Sequence, residues 1–64
     1  MKFDTWKLDE ETYMVYFEDL DKLDKIKTLS LTGQPAEYTK QNTVFAYQLI
    51  IPNKNISKVR KLLK

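Results

Sequence analysis

The chain has 64 residues, of which 42% are hydrophobic and 31% charged, and it contains no cysteine and no histidine. This composition excludes disulfide cross-links, thiolate and imidazole metal sites, and catalytic groups built on a histidine. A chain near 60 residues buries only about 60% of the surface that its unfolded form exposes. We therefore expect one domain, residues 1–64, with a thin core that a partner would complete.

Charge is distributed unevenly along the chain. The net charge of +2 divides into −3 for residues 1–33, with five lysines and eight acids, and +5 for residues 34–64, with six basic residues and one acid. Such asymmetry indicates a basic contact surface or head-to-tail self-association. The longest apolar stretch, residues 44–51, is far shorter than the roughly 20 residues that span a bilayer. We expect a soluble cytoplasmic protein with no membrane partner.

The first half of the chain predicts a hairpin followed by a helix. Residues 2–8 and 12–18 are rich in aromatic and β-branched types, which favours strands, and an acidic turn separates them. In residues 19–29, apolar side chains recur every three positions among charges, which is typical of an amphipathic helix. Asp19 or Asp21 is the expected N-cap.

The second half repeats this order. Residues 36–41 and 43–51 predict two strands joined by a tight turn, and residues 54–63 predict a second helix. The fold class is therefore α+β: a two-layer sandwich in ββαββα order, with a four-stranded, mostly antiparallel sheet and both helices on one face. The helices align when Leu23 is matched to Ile56 and Leu29 to Leu62, which indicates a tandem ββα repeat of residues 1–32 and 33–64. The same pattern would also arise by coincidence of architecture without duplication.

Alternation along each strand assigns the side chains to two faces of the sheet. The face expected beneath the helices contains Val15, Phe17, Phe45, Tyr47 and Leu49, with Trp6 and Tyr38 at its margin. The candidate interaction face contains Phe3, Met14, Tyr16, Val44, Ala46 and Ile50. An apolar face of this kind marks a site for a second copy of the chain or for another protein. In the alternative interpretation, sheet twist leaves this face small, and the loop at residues 30–35 and lysine stems cover part of it.

The second predicted helix carries a basic stripe. The candidate phosphate contacts are Lys54, Lys58, Arg60, Lys61 and Lys64. Such a stripe adds sequence-independent affinity for nucleic acid by releasing counterions. A solvated helix face whose cations lie near the helix C-terminus explains most of these residues, and we favour it because the stripe is short and only Arg60 offers bidentate contacts.

Signals for chemistry are absent from the sequence. A phosphate-binding loop needs several glycines, and Gly33 stands alone. The acids between positions 19 and 24 lack the glycine and the distal glutamate of a calcium loop. We expect no catalytic residues, no cofactor and no metal. The predicted function is a small non-enzymatic protein-interaction module that is homodimeric through a sheet face, with nucleic-acid binding by the basic helix as the alternative. A subunit or activator of an enzyme complex would have the same sequence features as the first of these.

Overall fold

The computed structural model describes residues 2–64, which form two hairpins. The first hairpin consists of β1 (Phe3–Lys7) and β2 (Thr12–Phe17), and the second consists of β3 (Ala36–Lys40) and β4 (Thr43–Pro52). All four strands join one antiparallel sheet in the order β1-β2-β4-β3. The central strands β2 and β4 therefore come from different hairpins, and β1 and β3 are the edges.

A helix follows each hairpin, as the sequence predicts. These helices are α1 (Leu23–Leu29) and α2 (Ile56–Leu63), and a single 3-10 turn precedes each of them, at Leu20–Lys22 and at Asn53–Asn55. The predicted α+β class, the ββαββα order and the mixed sheet-and-helix architecture are confirmed. The predicted domain 1–64 and unit 1–32 both include Met1, which lies outside the described residues.

The core lies between the sheet and the two helices. Alternate side chains of the central strands point into it and meet one apolar stripe from each helix. Its buried members are Val15, Phe17, Ile26, Leu49, Ile51, Ile56, Val59 and Leu63. The predicted helix-covered face is therefore right for Val15, Phe17 and Leu49, and Tyr47 packs against this core as well.

The start of α1 differs from the prediction. Asp19 makes no side-chain capping bond, and the α-helix proper begins only at Leu23. The backbone N–H of Lys22 instead donates to the Asp19 carbonyl at 3.0 Å, because a 3-10 turn pairs residues three apart. The prediction that an aspartate side chain caps this helix is wrong.

Polar contacts hold the loops. The carboxylate of Asp9 accepts bonds from the Glu11 N–H at 2.8 Å and from the Thr12 N–H and hydroxyl, both at 2.9 Å. These bonds favour the charged carboxylate and lower the pKa of Asp9 from its ordinary 3.8. Asn55 ties the two helices together, since its side-chain amide donates to the Leu29 carbonyl at the end of α1 at 3.0 Å.

Several residues lie on the other face from the one predicted. Phe3 packs against the helix-covered core and does not belong to the candidate interaction face, because it pairs with buried Phe17. Trp6 pairs with Met14, and Tyr38 pairs with Ala46, so both side chains point away from the helices. The cross-strand register determines toward which face each side chain of β1 and β3 points. Residue types alone do not determine that register.

A β-bulge in β4 moves two further residues. Tyr38 pairs with Ala46, but the next residue, Thr39, pairs with Val44, which leaves Phe45 as the extra residue. Because the bulge breaks the alternation, Val44 follows Thr39 to the helix side of the sheet. Phe45 instead contacts Tyr38 on the other side. The predicted faces of Val44 and Phe45 are therefore exchanged.

Candidate interaction face

The sheet has one face that neither helix covers, and we call it the open face. Its position follows from the core, since the strand residues that alternate with buried Val15 and Leu49 must point the opposite way. By register the open face contains Asp4, Trp6, Met14, Tyr16, Ala36, Tyr38, Ala46, Gln48 and Ile50. It is mainly apolar and aromatic.

Three aromatic side chains form a contiguous group on the open face, the aromatic cluster of Tyr16, Tyr38 and Phe45. The rings of Tyr16 and Tyr38 meet edge to face, with centroids 5.3 Å apart and planes at 85°. Tyr38 and Phe45 are 6.3 Å apart at 64°. These are favourable aromatic geometries, which stabilise a pair beyond its buried area. The bulge thus places the Phe45 ring of β4 beside the rings that β2 and β3 contribute.

Hydrogen bonds fix two rings of the aromatic cluster. The Tyr16 hydroxyl donates to Glu18 Oε2 at 2.8 Å, and the Tyr38 hydroxyl donates to Gln48 Oε1. The bond to Glu18, followed by partial desolvation, raises the pKa of Tyr16 above its ordinary 10.0. Tyr16 therefore remains a neutral donor throughout the physiological range, and its ring is held in place by a charged acceptor.

Ala46 lies beneath the aromatic cluster. Its side chain is 0% exposed, although it does not belong to the core under the helices. Its cross-strand partner is Tyr38, and Phe45 is its chain neighbour. The prediction that Ala46 contacts a partner is wrong, because no part of its side chain reaches the surface. Its small side chain packs beneath the Tyr38 and Phe45 rings.

The large exposed side chains of the open face are not the ones predicted for it from the sequence. Trp6 is 42% exposed, Phe45 is 41% exposed and Tyr38 is 40% exposed. Met14, Tyr16 and Ile50, which the sequence does predict for this face, are half-buried. For Trp6 and Tyr38, the deciding signal is the cross-strand pairing with Met14 and Ala46, which residue types do not give. For Phe45, the deciding signal is the bulge.

The open face carries few charges. Asp4 lies on β1, and the carboxylate of Glu18 lies beside the Tyr16 hydroxyl at the end of β2. Lys40 is two residues beyond Tyr38 on β3, and alternation therefore places it on the same face. Lys2 precedes inward-facing Phe3, so alternation places this exposed lysine on the open face as well, and both halves of the chain contribute a cation to it.

The only arginine of the predicted basic stripe contacts the sheet of its own molecule. Arg60 is half-buried, its Nη2 donates to the Thr5 hydroxyl at 3.2 Å, and its guanidinium carbon lies 5.4 Å from the centre of the Tyr13 ring. The other members, Lys54, Lys58, Lys61 and Lys64, are exposed. The bidentate geometry that makes arginine suited to phosphate is therefore already engaged in packing.

No described helix is long and apolar enough to cross a membrane. Among residues 2–64 there is no pocket and no group of three or more side chains placed to hold a metal ion. Comparison of the chain with protein-family models, with curated proteins and with solved structures found no match.

Proposed function

We propose that this chain is a small, non-enzymatic protein-interaction module, acting as an adaptor, inhibitor or regulator, that is homodimeric through its open face. One observation carries the proposal: three aromatic side chains, Trp6, Tyr38 and Phe45, are each about two-fifths exposed on the sheet face that neither helix covers. Contiguous apolar patches of this kind on a small protein mark interaction sites. The cytoplasmic location expected from the sequence is part of this proposal.

The area of the open face suits a dimer. The two longer extents of the molecule are 36 and 20 Å, which sets an upper limit of about 700 Å² on the outline of the open face. Stable protein interfaces bury on the order of 600–1,000 Å² per partner. A second copy that covers most of the open face would therefore reach the lower part of this range, and it brings the same aromatic residues to a self-complementary contact.

The thin core favours the same partner. The core contains a single layer of buried side chains under two short helices. Packing two open faces together would bury a second apolar layer about 10 Å thick between the sheets, as in aligned sheet sandwiches. Each copy would then supply the covering layer that the other lacks.

The proposal is tested by measuring mass against concentration. Sedimentation equilibrium of the unmodified chain should give a dimer that dissociates on dilution. Trp6→Gln and Phe45→Gln should each raise the dissociation constant by roughly tenfold or more, since buried aromatic anchors dominate interface energies. Leu20→Gln is the matched control, because Leu20 is 39% exposed but lies on the helix side of the molecule; it should leave the dissociation constant unchanged.

Two outcomes would overturn the proposal. A monomer mass up to millimolar concentration would show that no second copy occupies the face. A dimer that responds to Leu20→Gln but not to Trp6→Gln or Phe45→Gln would show that another surface is used. Circular dichroism of each variant would separate loss of dimerisation from loss of the fold.

Nucleic-acid binding by the basic helix stays as the alternative prediction. It requires retention on heparin or on DNA that weakens steeply with added salt. Because Arg60 is engaged with Thr5 and Tyr13, the contacts would come from the four exposed lysines. No shift of any nucleic acid at low salt would remove this alternative.

A further inference from the structure

The two edge strands, β1 and β3, differ in how their outer backbone groups are used. In an antiparallel sheet, every second residue of an edge strand directs its N–H and C=O away from the neighbouring strand. Just before and after β1, the Lys2 carbonyl accepts from the Glu18 N–H, and the Leu8 N–H donates to the Thr12 carbonyl. Even-numbered residues of β1 therefore bond to β2, and its odd-numbered residues point outward.

The outer edge of β1 is blocked at its centre by the molecule's own side chains. Thr5 is the middle residue of β1 and points its backbone groups outward. Its N–H donates to Asp4 Oδ1 at 2.9 Å, and its hydroxyl accepts from Arg60 Nη2 at 3.2 Å. A strand that docked on β1 would have to displace the Asp4 carboxylate, so β1 is protected against edge pairing.

The outer edge of β3 has no such protection. The Asn53 N–H donates to the Glu11 carbonyl, so odd-numbered residues at this end of β4 bond toward β2 and even-numbered residues bond toward β3. Tyr38, which pairs with an even-numbered residue of β4, therefore bonds to β4, and its neighbours Glu37 and Thr39 point outward. Within residues 2–64, no hydrogen bond engages these outward groups, and all five residues of β3 are exposed.

We propose that β3 is a second self-association site, at which two copies pair their β3 strands antiparallel about Tyr38 and join their sheets edge to edge. The pairing places Glu37 of each copy opposite Thr39 of the other. These are the residues whose N–H and C=O groups point outward, so every free backbone group of both strands gains a partner. Strand addition of this kind derives its affinity from main-chain hydrogen bonds.

The residues that flank β3 exclude the neighbouring registers. If Thr39 faced Thr39, Glu37 would lie opposite Gln41, which has a φ of 53° and has left the extended conformation. If Glu37 faced Glu37, Thr39 would lie opposite Pro35, which has no N–H, and like charges would be directly opposite. A shift by one residue would oppose outward groups to groups already bonded to β4. Tyr38 is therefore the position on the two-fold axis.

The side chains of the proposed pair are compatible. Tyr38 faces its own counterpart in a non-hydrogen-bonded pair, where Cβ atoms are about 4.5–5.5 Å apart and aromatic pairs are favourable. Because Tyr38 also contacts Tyr16 and Phe45, the aromatic clusters of the two copies would form one continuous band. Lys40 lies opposite Ala36 of the other copy and meets no like charge there.

This contact goes beyond the open-face homodimer, because it uses backbone groups in the plane of the sheet and leaves both open faces uncovered. Either contact can form without the other. The edge contact buries less apolar surface and is the weaker of the two, so it joins open-face dimers only at a higher protein concentration.

Amide hydrogen exchange, followed by NMR as the protein concentration is raised, tests the edge pairing. The outward amides of Glu37 and Thr39 should exchange rapidly in the dilute chain and slow together as copies pair, roughly tenfold when about nine chains in ten are paired. The amide of Lys7 points outward on β1 and is the matched control, whose exchange should not depend on concentration. Rapid exchange of Glu37 and Thr39 up to millimolar concentration would overturn the proposal.

A proline substitution tests the same contact by mass. In a Trp6→Gln chain, where open-face pairing is weakened, Thr39→Pro should raise the dissociation constant measured by sedimentation roughly tenfold or more, because each dimer loses two donors. The fold keeps its bonds, since the lost N–H points away from β4. Lys7→Pro removes an outward N–H from β1 and should have no effect. Equal effects of the two prolines would contradict the assignment of the contact to β3.

The absence of cysteine allows a test of register. In the same Trp6→Gln chain, Tyr38→Cys should form a disulfide-linked dimer under mild oxidation, because position 38 faces itself within the range of a disulfide. Ala36→Cys faces position 40 and should link far more slowly. Faster linking of Ala36→Cys would overturn the register about Tyr38.

The outcomes separate this inference from the proposed function. Protection of Glu37 and Thr39 in a chain whose dissociation constant ignores Trp6→Gln and Phe45→Gln would support the edge pairing and overturn the open-face homodimer. A dimer that those two variants weaken, but in which the β3 amides stay unprotected at every concentration, would support the homodimer and overturn the edge pairing.

Discussion

Ala46 shows how a residue can lie on an interaction face without taking part in an interaction. Alternation places it on the open face, and the structure agrees, but its side chain is fully buried opposite Tyr38. Its small size is what allows the Tyr38 and Phe45 rings to lie close to the strand. A sequence pattern gives the direction of a side chain, whereas its exposure depends on which larger neighbours lean across it.

This arrangement predicts that Ala46 tolerates no larger residue. Ala46→Leu should lower the free energy of unfolding by about 1–3 kcal/mol, the usual cost of inserting methylenes into a filled site. Ala36→Leu adds the same atoms to an exposed alanine of the same face and should change stability by less than about 0.5 kcal/mol. Urea unfolding of both variants at one low protein concentration measures the difference. Equal effects would show that the site beneath the rings has room to spare.

Arg60 shows that the position of a long side chain on a helix does not determine where its charged group lies. Helical periodicity places it four residues after buried Ile56, at the border of the buried arc, and its length lets it reach the Thr5 hydroxyl and the Tyr13 ring. Long cationic side chains often pack their stems and direct their heads to nearby acceptors. A helical wheel therefore indicates where a chain leaves the helix, but not where its charged group ends.

Among the elements, the four strands and two helices follow the pattern of residue types closely, because periodicity is a local property of the chain. The helix starts and the bulge do not. Each helix begins with a 3-10 turn in place of a side-chain cap, and the bulge between Val44 and Ala46 depends on how β4 matches a shorter partner strand. One extra residue then reassigns Phe45, which is why the open face was only partly predictable.

The tight turn between β3 and β4 predicts a stabilising substitution. Gln41 and Asn42 both have positive φ, 53° and 65°, which is the type I′ geometry that joins two-residue hairpins. Asparagine tolerates this left-handed region better than glutamine, so Gln41→Asn should raise the free energy of unfolding by about 0.5–1 kcal/mol. The measurement is the urea midpoint at unchanged slope.

Gln34→Asn is the matched control for this turn. Gln34 is an exposed glutamine in the loop before β3, and it is not one of the described residues with positive φ. We expect a change of less than about 0.5 kcal/mol. If both substitutions had the same effect, the gain would reflect the residue type and not the left-handed backbone at position 41.

For the whole molecule, the strand order β1-β2-β4-β3 is the feature that residue patterns could not supply. Pairing β2 with β4 joins segments from opposite halves of the chain, and such contacts depend on the complete set of packed faces. The repeat predicted from the alignment of the two helices nevertheless agrees with the starts of all four matched elements, β1 with β3 and α1 with α2. Whether duplication produced it stays a prediction, but the approximate symmetry has a physical consequence for connectivity.

Six residues, 30–35, connect the end of α1 at Leu29 to the start of β3 at Ala36. The step from Phe3 to Ala36 also converts the pair Val15–Leu49 into the pair Gln48–Tyr16, so an approximate internal two-fold axis relates the two halves. Under this internal two-fold, the matching connection would run from Leu62 to Phe3, and residues 63, 64, 1 and 2 already supply four of the six. A circular permutant that begins at Gln34 and joins residue 64 to residue 1 through two glycines should therefore fold to the same structure. Thermal unfolding should remain cooperative, because every strand pair and both helices are retained.

The matched control opens the chain between Gln41 and Asn42 with the same two-glycine joint. This permutant separates β3 from β4 at their hairpin, so the β3 edge strand loses its short connection and must close a much longer loop. It should be less stable than the permutant opened at Gln34 by chemical denaturation. The contrary outcome is that the permutant opened at Gln34 fails to unfold cooperatively while the control does so. The connections of the two halves would then not be interchangeable, and the internal two-fold would relate only the positions of the strands and helices.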